Sequence, residues 1–152
     1  MTEKYDVDDF VPHSGKMSLL TKIIDFGDGW LESEVTISED STFSDTKGVS
    51  AEVGIEYLAQ SIAAYAGSQE RAQGNPPKLG FLLGTRRYET SVDYFPLGSV
   101  LKIKVVLEME AENGLNVFNG TIKGADTNLN IEVVAKLNVF QPEDAKAFLE
   151  GA

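Results

Sequence analysis

The sequence predicts a two-layer α+β domain in which an antiparallel sheet wraps one long helix. Three observations point there. The apolar period is two near the start, becomes helical over residues 48–67, and returns to two afterwards. The helical stretch, GVSAEVGIEYLAQSIAAYAG, is crowded with small residues (Ala59, Ser61, Ala63, Ala64, Ala66 and Gly67), so a strongly curved sheet can approach its backbone closely. A chain of 152 residues is about the size of one ordinary domain with a single core.

The elements follow in order. Residues 17–26, MSLLTKIIDF, and 30–38, WLESEVTIS, flank Gly27-Asp28-Gly29, whose glycines supply the positive φ of a tight turn, so the chain opens on a β-hairpin. Residues 39–47 are polar and turn-rich. The helix comes next, with Ala51, Ile55, Leu58, Ile62 and Tyr65 on one stripe, and it is expected to run from about 50 to 72. It should stop in GSQERAQGNPP, where Gly74 and two prolines end helical propagation. Strands are then expected at LGFLLGTRRYE and at Leu101, Ile103, Val105, Leu107 and Met109, which alternate with Lys102, Lys104, Glu108 and Glu110. The turn ENG leads into LNVFNGTI, and GADTN into the alternation Leu129, Ile131, Val133, Ala135, Leu137, Val139. A short terminal helix is expected from Pro142, because proline costs nothing in a first helical turn.

Composition excludes several classes of function. With no cysteine there is neither a disulfide framework nor a thiolate metal site, and one histidine cannot build a multi-histidine metal centre. A net charge of −11 opposes non-specific binding to nucleic acid, which needs clustered Lys and Arg. The N-terminal MTEKYDVDDF lacks the features of a signal peptide, and no run reaches the length of a membrane span, so a cytoplasmic protein is expected. The Gly15-Lys16 pair in SGKMS lacks the spacing of a phosphate loop and reads as a turn.

Glu56 stands out because it sits within the most apolar helix with no Lys or Arg nearby in sequence. It has two readings: a helix-edge carboxylate reaching solvent or favoured by the helix dipole, or a carboxylate enclosed among Val53, Ile55, Ala59 and Ala63 and thereby tuned for proton transfer. Glu52 fits the first reading. His13 follows a proline and is either a solvated or capping residue or the chain's source of imidazole chemistry. Arg86-Arg87 is either a solvated strand-edge pair or a contact for an acidic partner.

Several segments carry a family resemblance. IEYLAQ at 55–60 resembles the central-helix motif of hotdog 3-hydroxyacyl-[acyl-carrier-protein] dehydratases. VPHSGKMSLLTKI at 11–23 resembles their Pro-His segment, and LGFLLGTRRYETSVDYFPLGSVL at 79–101 their strand, loop and Pro-x-Gly turn. Through PHSGKMSLL, GIEYLAQ, GFLLGTRRYE and LNVFQP, the chain is most similar to the divergent dehydratases of aryl polyene biosynthesis. The resemblance implies a hotdog fold, paired with itself as a homodimer or with another hotdog protein in a hetero-oligomer. The housekeeping enzymes carry a catalytic histidine in the loop before the helix, and here that loop reads STFSDTKGV, with Thr42 where the histidine falls and Phe43 after it.

By that resemblance His13 takes the C2 proton of a 3-hydroxyacyl thioester and Glu56 protonates the departing hydroxyl, across a dimer interface in one version. Backbone amides from Val49 through Ala51 to Gly54 would meet charge on the thioester oxygen. Phe81, Leu83 and Gly84 would line the acyl site, and Arg86 and Arg87 would receive an acyl carrier protein. No metal or redox cofactor is implied. An acyl thioester hydrolase on the same fold and a non-catalytic carrier-binding subunit remain open, since the first needs Glu56 without an imidazole and the second needs neither.

Overall fold

The computed structural model describes residues 19–74, 81–111, 113–126 and 130–140. Its elements are β1 (Lys22–Gly27), β2 (Trp30–Thr36), β3 (Ser44–Asp45), β4 (Gly48–Ser50), a 3₁₀ turn at Ala51–Val53, α1 (Gly54–Ala72), β5 (Phe81–Thr90), β6 (Tyr94–Pro96), β7 (Val100–Glu110), β8 (Leu115–Gly124) and β9 (Glu132–Phe140). The expected terminal helix from Pro142 lies outside the described residues. No described helix is long and apolar enough to cross a membrane.

Six strands form one antiparallel sheet in the order β1-β2-β7-β8-β9-β5. The opening hairpin turns where expected, and Gly29 holds the positive φ of 85° that the turn requires. Helix α1 packs against β2, β7 and β8, giving the hotdog arrangement of one helix against a large sheet. Leu31, Ile103, Val105, Ile122, Val133 and Leu137 from the sheet and Leu58 and Ile62 from the helix make the core. Two glycines permit the close approach. A Cβ on Gly120 of β8 would stand 2.6 Å from Leu58 Cδ2, and one on Gly54 would run into the Tyr88 hydroxyl and come within 3.0 Å of Ile122 Cδ1.

Two expectations need correction. Residues 48–50 do not begin the helix, because β4 pairs with both β3 and β6 in a second, three-stranded sheet whose strands are too short to show a period. Met109 does not continue the buried alternation of β7. The register slips between Leu107 and Met109, and Met109 turns outward with 53% of its surface exposed.

Candidate functional site

A groove of about 440 Å³ runs along one side of α1 and is lined by Glu56, Ala59, Gln60 and Ala63 from the helix and by Phe118 and Val139 from β8 and β9. Small side chains at Ala59, Ala63 and Ala66 leave the space, while Tyr65, edge-on to Phe118 at 5.7 Å, closes part of its floor. The Tyr65 hydroxyl accepts a hydrogen bond from Gly29 N–H at 3.0 Å, which ties the helix to the hairpin turn. The wall also carries Asp28, Glu70 and Glu110, and none of its described residues is Lys or Arg.

Glu56 is on this wall, and the structure decides between its two environments. It is exposed at the groove rather than enclosed, because Val53 and Ile55 pack against the core while Ala59 and Ala63 share the open groove wall with position 56. Its Oε1 accepts a hydrogen bond from Gln60 Nε2 at 3.4 Å. Gln60 is 3% exposed, and its Oε1 accepts from Leu19 N–H at 2.7 Å. Gln60, within IEYLAQ, is a site residue that the sequence alone did not single out. Its spacing of four from Glu56, which stacks two side chains on one helix face, was the available signal.

The other predicted residues divide. His13 lies outside the described residues. Phe81 and Leu83 fall on β5, of which the backbone path is described there, and Gly84 pairs with Asn138 of β9. Val49 is held in β4 between β3 and β6. Three of the amides expected to face a thioester oxygen are engaged within the chain: Ala51 N–H donates to Asp93 O at 2.9 Å, Glu52 N–H to Ser50 Oγ at 3.4 Å, and Gly54 N–H to the carbonyls of Ala51 and Glu52. The 3₁₀ turn accounts for Gly54, the Ser50 cap for Glu52 and the neighbouring loop at Asp93 for Ala51. Arg86 is exposed at a slip in the β5–β9 register, and Arg87 pairs with Glu89 at 2.6 Å on the same surface. That pair holds the Glu89 carboxyl below its ordinary range.

A second cavity of about 230 Å³ lies against the loop before the helix, with Thr42, Ser38, Asp40 and Tyr57 on its wall. Phe43, next to Thr42, has a φ of 70° and is 66% exposed. The Tyr57 ring packs on Phe95 at 6.1 Å, and burial pushes its phenol up to about 12. Tyr88, donating to Ala51 O, is likewise pushed up to about 12, first by burial and then by the Tyr57 and Glu52 charges. Leu19 borders this second cavity, so the Leu19–Gln60–Glu56 hydrogen bonds run from one cavity to the other.

A model of the ApeP-like family, described as ApeP dehydratase, matches residues 5–150. Comparison with curated proteins gives no match. Among solved structures, the chain is similar to the dehydratase heterocomplex ApeI:P from Xenorhabdus doucetiae, at 29% identity over 95% of this chain and 95% of that chain, with a TM-score of 0.82. It is similar in fold to a hypothetical thioesterase with coenzyme A from Streptococcus pneumoniae TIGR4, at 13% identity over 78% of this chain and 86% of that one, with a TM-score of 0.58. A sigma28-regulated virulence protein from Campylobacter jejuni shares the fold at 12% identity, over 91% of this chain and 89% of that one, with a TM-score of 0.61.

Proposed function

The chain belongs to the ApeP-like dehydratase family, whose reaction is loss of water from a 3-hydroxyacyl thioester in polyene biosynthesis, and from that premise we propose that Glu56 and His13 divide the proton transfers. In this reading His13 removes the C2 proton, the C2–H electron pair forms the new double bond, the C3–O bond breaks, and protonated Glu56 gives its proton to the leaving hydroxyl. Water and a trans-2-enoyl thioester result. The observation that supports it is the place of Glu56 on the wall of a groove lined by Ala59, Ala63, Phe118 and Val139, where an acyl chain can lie beside the carboxyl.

The acyl chain would continue beside Phe81, Leu83 and Gly84 of β5. The substrate would arrive on the phosphopantetheine arm of an acyl carrier protein in the cytoplasm, with exposed Arg86 and Arg87 meeting its acidic surface. Because the similar Xenorhabdus structure is a heterocomplex, we take the working assembly to include another hotdog protein. The test is incubation of the protein, alone and with such a partner, with 3-hydroxyacyl and saturated acyl thioesters of a carrier protein under mass detection. Loss of one water from the hydroxyacyl species supports the reading. Release of free acid from either substrate without that loss would replace it with thioester hydrolysis.

A further inference from the structure

We propose that Gln60 is a positioning residue that holds the Glu56 carboxyl against the groove, an inference that rests on the role given to Glu56 above. The geometry leaves its amide little choice. Gln60 is 3% exposed, and its Oε1 lies 2.7 Å from Leu19 N, a backbone donor that only the amide oxygen can satisfy. That contact fixes which end of the amide is oxygen and which is NH₂, and the NH₂ is then the group within 3.4 Å of Glu56 Oε1.

An ordinary pair four residues apart on a helix joins two mobile, solvated side chains and contributes little. This pair differs in two ways. One member is buried and clamped by a segment 41 residues away in sequence. The other faces a wall whose further ionisable groups include Asp28, Glu70 and Glu110, so a neutral donor among acids sets where the carboxyl points. The anchoring donor, Leu19 N–H, belongs to the chain that leads back to His13, so one amide couples the path of that segment to the orientation of Glu56. A carboxyl that must meet a leaving hydroxyl within hydrogen-bond reach loses rate when its rotamer is freed, with little change in how the acyl chain binds.

The test is a double-mutant cycle on dehydration of a 3-hydroxyacyl thioester, using Gln60→Met, Gln60→Glu and Glu56→Gln. Gln60→Met keeps the volume and loses the hydrogen bonds to Leu19 and Glu56, whereas Gln60→Glu keeps an acceptor for Leu19 N–H and, assayed at a pH where the new carboxyl is ionised, faces Glu56 with a like charge in place of the donor. Both should lower kcat about tenfold with KM within about twofold, because the carboxyl loses the hydrogen bond that orients it toward the leaving hydroxyl. In the Glu56→Gln background neither should lower kcat further, because the carboxyl being positioned is already gone. If the Gln60 and Glu56 losses multiply, Gln60 acts through the fold and the proposal is overturned. Unchanged kcat in Gln60→Glu at a pH where the new carboxyl is ionised, with Leu19 still held, overturns it as well. An unaffected Glu56→Gln enzyme overturns the catalytic assignment of Glu56 itself, which distinguishes that failure from the other two.

Discussion

The two faces of α1 use the same small-residue composition for opposite ends. On the sheet face, Ser61, Ala64, Gly67 and Ser68 are buried, and Ser61 Oγ is bonded both to Ser33 Oγ at 2.8 Å and to Tyr57 O at 2.9 Å. There smallness brings backbone to backbone, and the glycines at 54 and 120 extend it. On the groove face, Ala59, Ala63 and Ala66 are partly open, and their smallness leaves room beside Glu56 and Gln60. A small residue in a helix therefore marks close packing on one side and a cavity on the other, and only the elements packed around it decide which.

The comparison breaks most severely at Leu58, fully buried against Gly120. Leu58→Ala should cost about 2–5 kcal/mol in chemical unfolding, because the sheet cannot collapse into the space left behind. A loss below about 1 kcal/mol would mean that the sheet face is not closely packed. Gly54→Ala comes next at about 1–3 kcal/mol, since the added methyl must displace a Tyr88 hydroxyl bonded to Ala51 O. The groove-face counterpart, Ala63→Leu, should change stability by less than about 1 kcal/mol while filling the space beside Glu56, so its deficit should fall on substrate binding and turnover.

A separate effect is expected in alkali. Folded Tyr57 and Tyr88 titrate near 12, against 10 for an ordinary phenol, because the protein favours their neutral forms. In that window the folded state binds more protons than the unfolded state, so the stability these two phenols contribute is constant below pH 10 and is lost as pH rises towards 12. Denaturant midpoints measured across that range should decline, and Tyr57→Phe should flatten the decline. A flat wild-type profile would contradict the enclosure of these rings.

The helix and the meander strands were legible in the sequence because their periods extend over many residues: Leu101, Ile103 and Val105 alternate as read, and Leu58 and Ile62 are core. The small sheet was not legible, since strands of two and three residues carry no period, and Met109 was misplaced by a slip that local alternation cannot reveal. At the site, Glu56 was singled out for lacking a cationic neighbour, and the groove wall indeed has none among its described residues. Its surroundings were not legible, because whether a helix position faces a sheet or a space depends on elements distant in sequence. Gln60 escaped notice for the same reason, as its decisive contact is with Leu19, 41 residues away.

The central claim is that the Glu56 carboxyl, held at the groove, supplies the proton that leaves with the hydroxyl. Its most direct test is the rate at which Glu56→Gln dehydrates a 3-hydroxyacyl thioester, compared with wild type at equal thermal stability. The substitution keeps the shape of the side chain and removes its ionisable proton, so kcat/KM should fall about 10²-fold or more. A variant that retains dehydration within about twofold of wild type would contradict the assignment, because loss of a general acid cannot leave so small an effect.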